Sequence, residues 1–133
     1  MSRVLLVEDN PTFRQSLRDI LHLRFPSIEI AEAVDGKEAF QNIRSCLPDL
    51  IFMDIKLPGE NGLSLTKRIK TEHPDVVIII LTSYDLPEYK EAAYQSQANH
   101  FLSKGSSADE IFTLVELTLS EIGQASEKPQ GKP

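Results

Sequence analysis

The sequence predicts an α/β domain built on a parallel sheet, and three observations support this class. Apolar runs over 4–7, 50–53 and 76–81 do not alternate with polar residues, which is typical of strands covered on both faces. Further strand candidates lie at 28–33, as an edge strand, and at 100–103. Amphipathic helical patterns follow each run. Five alternating strand and helix units predict a flavodoxin-like, doubly wound (βα)5 sheet in the order 2-1-3-4-5.

The predicted helices begin and end at recognisable residues. Asn10 supplies an N-cap and Pro11 the first helical position of the first helix, which Pro26 ends. Ser107 and Glu110 form a capping box at the start of the last helix, which we expect to continue to 122. The other helices are predicted from 36 to near 48, over 62–72 and over 87–97.

Length and composition predict one domain and a tail. The chain has 133 residues, which is enough for a single hydrophobic core. We expect the folded domain to occupy 1–122. From 123 to 133 the sequence consists mainly of Gln, Ser, Lys, Gly and Pro. This composition predicts a flexible tail or linker.

Charge and cysteine content exclude several functional classes. The net charge is −6 and the isoelectric point is about 5.0, so this chain should repel a phosphate backbone and is not expected to bind nucleic acid directly. The single Cys46 cannot form an internal disulfide. No apolar run approaches the roughly 20 residues of a membrane span. These features predict a cytoplasmic protein without a membrane partner.

Polar side chains follow four of the predicted strands. Glu8 and Asp9 come after the first strand, Asp54 at the end of the third, Thr82 and Ser83 after the fourth, and Lys104 after the fifth. Ligands of open parallel sheets bind at the carboxyl ends of the strands, so we expect these side chains to converge there. A cluster of carboxylates needs a cation, and hard oxygen ligands suit Mg²⁺. With a lysine and a hydroxyl nearby, the set suits phosphoryl transfer, and Asp54 could be the nucleophile.

Five motifs then carry a family resemblance. They are VLLVEDN at 4–10, AVDGKEA at 33–39, DLIFMDIKLPGENG at 49–62, LTS at 81–83 and FLSK at 101–104. In this order and spacing, the chain resembles a response-regulator receiver domain of two-component signalling. The likeness extends from residue 3 to about 122. The segment 101–107 looks closest to the subclass with a LuxR-type helix-turn-helix output, which would imply a role in transcription regulation.

The resemblance assigns roles to individual residues. Asp54 matches the phosphoacceptor, which would receive the phosphoryl group from a phosphohistidine of a histidine kinase in a Mg²⁺-dependent step. The metal ligands implied are Glu8, Asp9, Asp54 and the backbone carbonyl of Lys56. Thr82 and Lys104 match the residues that contact the phosphoryl oxygens.

Other positions match the switch and the tuning residues of the family. Phe101 matches the aromatic switch residue, and the face of helix 4, strand 5 and helix 5 would then bind a partner, an output domain or a second copy. Lys56 and Tyr84 occupy positions that tune phosphate lifetime. The chain departs from the family in having Gly105 after Lys104 where proline is common, which makes a cis bond there less favourable, and Phe101 where tyrosine is common.

Three other functions compete with this interpretation. A phosphatase with an aspartate nucleophile would need a second aspartate where Lys56 stands. A nucleotide or flavin binder would need a glycine-rich or hydroxyl-rich loop after the first strand, where the acidic segment 8–11 lies. A phosphorylation-independent interaction module remains the main alternative. We expect no turnover of a separate substrate, only formation and loss of the protein's own aspartyl phosphate.

Overall fold

The computed structural model describes residues 2–131, with side chains described for 2–122. Five parallel strands form one sheet in the order β2-β1-β3-β4-β5, which confirms the predicted fold class and strand order. The strands are β1 (Arg3–Val7), β2 (Glu29–Ala33), β3 (Leu50–Met53), β4 (Val77–Thr82) and β5 (His100–Ser103). The helices are α1 (Pro11–Arg24), α2 (Gly36–Ser45), α3 (Gly62–Glu72), α4 (Pro87–Gln95) and α5 (Ala108–Gly131).

The hydrophobic core lies in two layers, one on each face of the sheet. Helices α2, α3 and α4 cover one face, where Phe40, Leu65 and Ala93 pack on the strands. Helices α1 and α5 cover the other face with Leu21 and Val115. Strands β1, β3 and β4 are therefore buried on both sides, which explains why their sequences do not alternate.

Side-chain caps start four of the described helices, namely α1, α2, α3 and α5. The Asn10 side chain accepts hydrogen bonds from the backbone N–H groups of Thr12 and Phe13 at 3.0 Å each, as the sequence predicts. The predicted capping box of α5 also forms, because Ser107 N–H donates to Glu110 Oε1 at 2.9 Å and Glu110 N–H donates to Ser107 Oγ at 3.2 Å.

The cap of α2 is a second capping box that the sequence analysis did not identify. Glu38 N–H donates to Asp35 Oδ1 at 2.9 Å, and Val34 N–H donates to Glu38 Oε1 at 2.9 Å. Aspartate takes the place of the usual serine or threonine. This box fixes the start of α2 at Gly36, where the sequence analysis had placed it.

Element ends differ from the predictions in a few places. Helix α4 ends at Gln95 because Gln97 adopts a left-handed backbone with a φ of 76°. The backbone of α5 runs to Gly131, past 122 where the domain was expected to end. The side chains beyond 122, and residues 132–133 altogether, lie outside the described part, so the flexible tail over 123–133 stays a prediction.

Two further observations concern the described residues alone. They contain no cis peptide bond, so the bond between Lys104 and Gly105 is trans. Among them, no helix combines the length and the apolar character needed to cross a membrane.

Candidate functional site

The predicted site residues meet at the carboxyl edge of the sheet. Val7 pairs with Met53 in adjacent parallel strands, so Glu8 and Asp54, the residues that follow them, emerge side by side. Thr82 is the last residue of β4, and Lys104 directly follows β5. The topology thus brings together residues that are up to 96 positions apart, counting from 8 to 104.

Lys104 bridges the two buried carboxylates of the site. Its ammonium lies 2.7 Å from Glu8 Oε1 and 3.0 Å from Asp54 Oδ2. Glu8 and Asp54 are only 4% and 6% exposed. Buried charges of one sign require a nearby counter-charge, and Lys104 supplies it.

Burial and ion pairing act in opposite directions on the pKa values of this pair. Burial raises the pKa of Glu8, and the hydrogen bonds from Lys104 and the Asn10 N–H only partly oppose it. Burial lowers the pKa of Lys104, but its hydrogen bonds to Glu8 and Asp54 outweigh burial, so its pKa is raised overall. The lysine therefore stays protonated while it holds both acids.

Backbone and neighbouring side chains hold the carboxylates in place. Ile55 N–H donates to Asp54 Oδ1 at 2.7 Å, and Asn10 N–H donates to Glu8 Oε2 at 2.9 Å. Each carboxylate thus has one oxygen held by the backbone and one by Lys104. This arrangement orients Asp54 before any ligand arrives.

Three carboxylates at this edge could hold a metal ion. Oxygen atoms of Glu8, Asp9 and Asp54 all lie within 4.8 Å of one another, with Asp9 exposed to solvent and the other two buried. A donor set made only of carboxylate oxygens fits a hard divalent cation such as Mg²⁺. The exposed side of the cluster leaves room for the waters that Mg²⁺ retains.

The loop and helix after Asp54 depend on two glycines. A Cβ at Gly62 would lie 1.8 Å from the carbonyl oxygen of Asp54, and Gly62 N–H donates to the carbonyl of Ile55 at 2.8 Å. Gly59 has a φ of 82°, which favours glycine. The start of α3 therefore packs directly under the backbone of Asp54, where no side chain fits.

Thr82 and Phe101 lie on the same face of the sheet. Thr82 pairs with Ser103 across β4 and β5, and Phe101 is two residues before Ser103, so both side chains point to the α4 side. Thr82 is fully buried and Phe101 is half-buried against the core. The Thr82 hydroxyl accepts a hydrogen bond from Tyr84 N–H at 3.2 Å.

The remaining predicted site residues, Lys56 and Tyr84, contact each other just beyond the carboxyl ends of β3 and β4. The ammonium of Lys56 lies 5.0 Å from the centroid of the Tyr84 ring and 5.8 Å from that of Tyr89. Both Lys56 and Tyr84 are exposed. Neither side chain takes part in the hydrogen bonds of the acidic cluster, and their effect on phosphate lifetime stays a prediction.

Three residues around the site were not identified from the sequence as part of it. The ring of Phe13 lies under Lys104, with the ammonium 4.6 Å from its centroid. Arg14 donates from Nη1 to the carbonyl of Glu8 at 2.7 Å. Tyr89 contacts Lys56 and Tyr84. The helical periodicity marks Phe13 as inward-facing, but no sequence pattern links Arg14 to the carbonyl of Glu8 or Tyr89 to Lys56.

Comparison with known proteins decides the family. The sequence profile described as response regulator receiver domain matches residues 4–116. The chain belongs to this family. The predicted resemblance is thereby confirmed, and the acidic edge described above lies within the matched part of this receiver domain.

Individual relatives agree with the family. The transcriptional regulatory protein LnrK of Bacillus subtilis (strain 168) is 33% identical over 86% of this chain and 52% of its own length. The response regulator GacA of Pseudomonas viridiflava is 28% identical over 98% of the chain and 60% of its own length. The receiver domain thus spans about half the length of these curated relatives.

Solved structures match the fold as well. A LuxR-family two-component response regulator from Aurantimonas sp. SI85-9A1 superposes with a TM-score of 0.83 at 30% identity, covering 91% of this chain and 86% of that one. A LuxR-family DNA-binding response regulator from Staphylococcus aureus gives 0.81 at 25% identity, covering 89% and 98%. These matches agree with the predicted likeness to the LuxR-type subclass.

Proposed function

We propose that this receiver domain accepts a phosphoryl group on Asp54 from a phosphohistidine of a histidine kinase. The observation that carries the proposal is the contact of Lys104 with both Glu8 and Asp54 in a cluster of three carboxylates. An Asp54 oxygen attacks the phosphorus in line, a new P–O bond forms, and the P–N bond breaks. The electron pair of that bond stays on the departing imidazole.

Each residue of the site has a separate task in this transfer. Glu8, Asp9, Asp54 and the backbone carbonyl of Lys56 would hold Mg²⁺. The bound ion supplies positive charge that offsets the negative charge of the phosphoryl oxygens and the carboxylates. Lys104 moves from Glu8 and Asp54 to an oxygen of the arriving group, because that oxygen carries more negative charge.

The phosphoryl group then changes the face formed by α4, β5 and α5. It adds about −1.5 to −2 charges and strong acceptors at one point. The Thr82 hydroxyl exchanges its hydrogen bond with Tyr84 N–H for one to a phosphoryl oxygen. Phe101, on the same face of the sheet, fills the space that Thr82 leaves. The arrangement with Thr82 bonded to Tyr84 and the arrangement with Thr82 bonded to the phosphoryl group are the two states of a switch.

The proposed partners follow from this switch. The altered face binds an output domain or a second copy of the chain, as expected for a cytoplasmic regulator of transcription. With a net charge of −6, this chain contributes no direct nucleic-acid contact. It turns over no separate substrate, since the only covalent change is on its own aspartate.

Intact mass measurement tests the proposal. The protein is incubated with Mg²⁺ and acetyl phosphate, beside the variants Asp54→Ala and Asp85→Asn; Asp85 is an exposed acid after β4 and serves as the matched control. We expect one added phosphoryl group in the wild type and in Asp85→Asn, and none in Asp54→Ala or with chelator. Mg²⁺ binding without any phosphorylation, by acetyl phosphate or by a kinase, would favour a phosphorylation-independent interaction module.

A further inference from the structure

A cluster of one lysine and two tyrosines lies just beyond the carboxyl ends of β3 and β4, where Asp54 and Thr82 also stand. Lys56 Nζ is 5.0 Å from the centroid of the Tyr84 ring and 5.8 Å from that of the Tyr89 ring. The two rings have centroids 5.5 Å apart and are tilted by 47°. An ammonium over the face of one aromatic ring is attracted to that ring. Here one ammonium lies near two rings, so the side chain of Lys56 is restrained more strongly than by a single ring. We call these three residues the rim cluster.

The rim cluster joins three separate segments of the chain. Lys56 comes two residues after Asp54, and Tyr84 comes two residues after Thr82. Tyr84 N–H donates to the Thr82 hydroxyl, so the backbone of Tyr84 is tied to the site. Tyr89 lies in the first turn of α4, where Leu86 at the N-cap position provides no side-chain hydrogen bond.

Tyr89 is the anchored member of the rim cluster. Its ring is half-buried and packs against the core, whereas Lys56 and Tyr84 are exposed. An exposed lysine loses side-chain entropy when it is ordered, and a contact with a fixed ring offsets that loss. Without Tyr89, the remaining contact joins two exposed side chains and should hold Lys56 only part of the time.

We propose that Tyr89 is a positioning residue that sets the lifetime of the aspartyl phosphate by holding Lys56 over Tyr84 at the mouth of the site. This inference rests on the proposed function. Hydrolysis requires water to approach the phosphorus in line with the bond to Asp54. The water oxygen bonds to phosphorus, the P–O bond to Asp54 breaks, and inorganic phosphate leaves with the water's proton. The restrained side chains of Lys56 and Tyr84 narrow that approach and slow the reaction.

Phosphate lifetime provides the first test. The proteins are phosphorylated with acetyl phosphate, freed of donor, and followed by the loss of phosphoryl mass. We expect Tyr89→Leu to shorten the lifetime about two- to fivefold, the factor that such a contact is worth at an exposed site. Tyr89→Phe keeps the ring and should restore the wild-type lifetime. Tyr94→Leu, an exposed tyrosine of the same helix, is the matched control and should change nothing.

A double variant separates this positioning role from a general effect on stability. If Tyr89 acts through Lys56, Tyr89→Leu should have no further effect on the lifetime in a Lys56→Met background. A purely structural effect would be additive in the two variants. Additive effects, or an unchanged lifetime in Tyr89→Leu, would overturn the proposal.

A second readout needs neither phosphate nor metal. Protons on the Cε of Lys56, lying over two rings, should resonate upfield of those of the exposed Lys90 in an NMR spectrum of the unmodified protein. Tyr89→Leu should move them toward the position of Lys90, and Tyr94→Leu should not. Unshifted Lys56 protons in the wild type would overturn the positioning role. Complete failure of Asp54 to accept phosphate would instead contradict the proposed function, so the two failures are distinguishable.

Discussion

The ammonium of Lys104 lies 3.0 Å from Asp54 Oδ2, although the two residues are 50 positions apart in the chain. The same ammonium contacts Glu8 at 2.7 Å. One lysine therefore compensates two buried acids that would otherwise repel each other. A divalent cation bound in the acidic cluster would have to share the carboxylates of Glu8 and Asp54 with Lys104.

Replacing Lys104 should strengthen metal binding. Lys104→Met removes a positive charge that competes with Mg²⁺ for Glu8 and Asp54. We expect Mg²⁺ to bind more tightly by about 1–2 kcal/mol, since charges this close interact strongly even at a high effective dielectric constant. Titration calorimetry at fixed ionic strength measures the change. Lys90→Met, a substitution of an exposed lysine on α4, controls for net charge. Equal or weaker binding in Lys104→Met would contradict the expected competition.

The stability of the metal-free protein should depend on pH through Glu8. Burial raises the pKa of Glu8 above its ordinary value of 4.5, so the folded state binds this proton more tightly than the unfolded state. The resulting stability is fully present below pH 4.5 and is lost as the pH rises through the raised pKa. Glu8→Gln should therefore lose less stability than the wild type over this interval.

Urea unfolding at a series of pH values, in the presence of chelator, measures this difference. Glu91→Gln, which changes an exposed acid on α4, should follow the wild-type profile. Parallel profiles for the wild type and Glu8→Gln would show that the raised pKa of Glu8 makes no contribution to stability.

Substitutions of two glycines that follow Asp54 should lower the free energy of unfolding by different amounts. The added methyl of Gly62→Ala meets the carbonyl oxygen of Asp54 at 1.8 Å, so α3 or the loop must move, at a cost of about 1–3 kcal/mol or more. Gly59→Ala meets no atom within 4 Å and adds only the strain of a φ of 82°, about 1 kcal/mol.

Chemical unfolding and phosphorylation at Asp54 distinguish the two variants. Gly62→Ala should lower both the free energy of unfolding and the rate of phosphorylation, because the displaced backbone carries Asp54, the proposed nucleophile. Gly59→Ala should lower stability modestly and leave phosphorylation near the wild-type rate. Similar losses in both variants would refute the close approach of Gly62 to Asp54.

Replacing Lys70 should lower the stability of the protein and leave the phosphorylation of Asp54 unaffected. Its ammonium donates to the carbonyls of Pro74 and Val76 at 3.0 and 2.7 Å and to Asn99 Oδ1 at 3.1 Å. These partners precede β4 and β5, at the opposite edge of the sheet from Asp54. Lys70→Met keeps the length of the side chain but leaves three acceptors without this donor.

We expect Lys70→Met to lower the free energy of unfolding by about 1–3 kcal/mol, the usual cost of losing buried hydrogen bonds. Phosphorylation of Asp54 should proceed at the wild-type rate. Lys67→Met, an exposed position on the same helix, should have little effect on either measurement. A large loss of phosphorylation in folded Lys70→Met would show that the two edges of the sheet are coupled.

Much of the fold could be predicted from local sequence because its signals are local. The caps at Asn10 and Ser107 involve residues two or three positions apart. The alternation of strands and helices predicted a parallel sheet, and five such units favoured the flavodoxin-like strand order. The end of α4 was misplaced, since Gln97 gives no sequence signal for a positive φ.

The site could be predicted as a set of residues, but its contacts could not. The rule that parallel strands end at one edge places Glu8, Asp54 and Lys104 near one another. It does not say that Lys104 bridges both acids or that Phe13 lies under its ammonium. Those contacts depend on side-chain directions across neighbouring elements.

The sequence by itself determined the fold class and the acidic edge, because the hydrophobic period and the residues at strand ends are properties of short segments. It also favoured the strand order, through the count of five alternating strand and helix units. Only the tertiary structure decided that Gly62 packs against the carbonyl of Asp54 and that Tyr89 meets Lys56. Such pairings depend on the packing of whole helices against the sheet, where a displacement of about one ångström separates a contact from a clash.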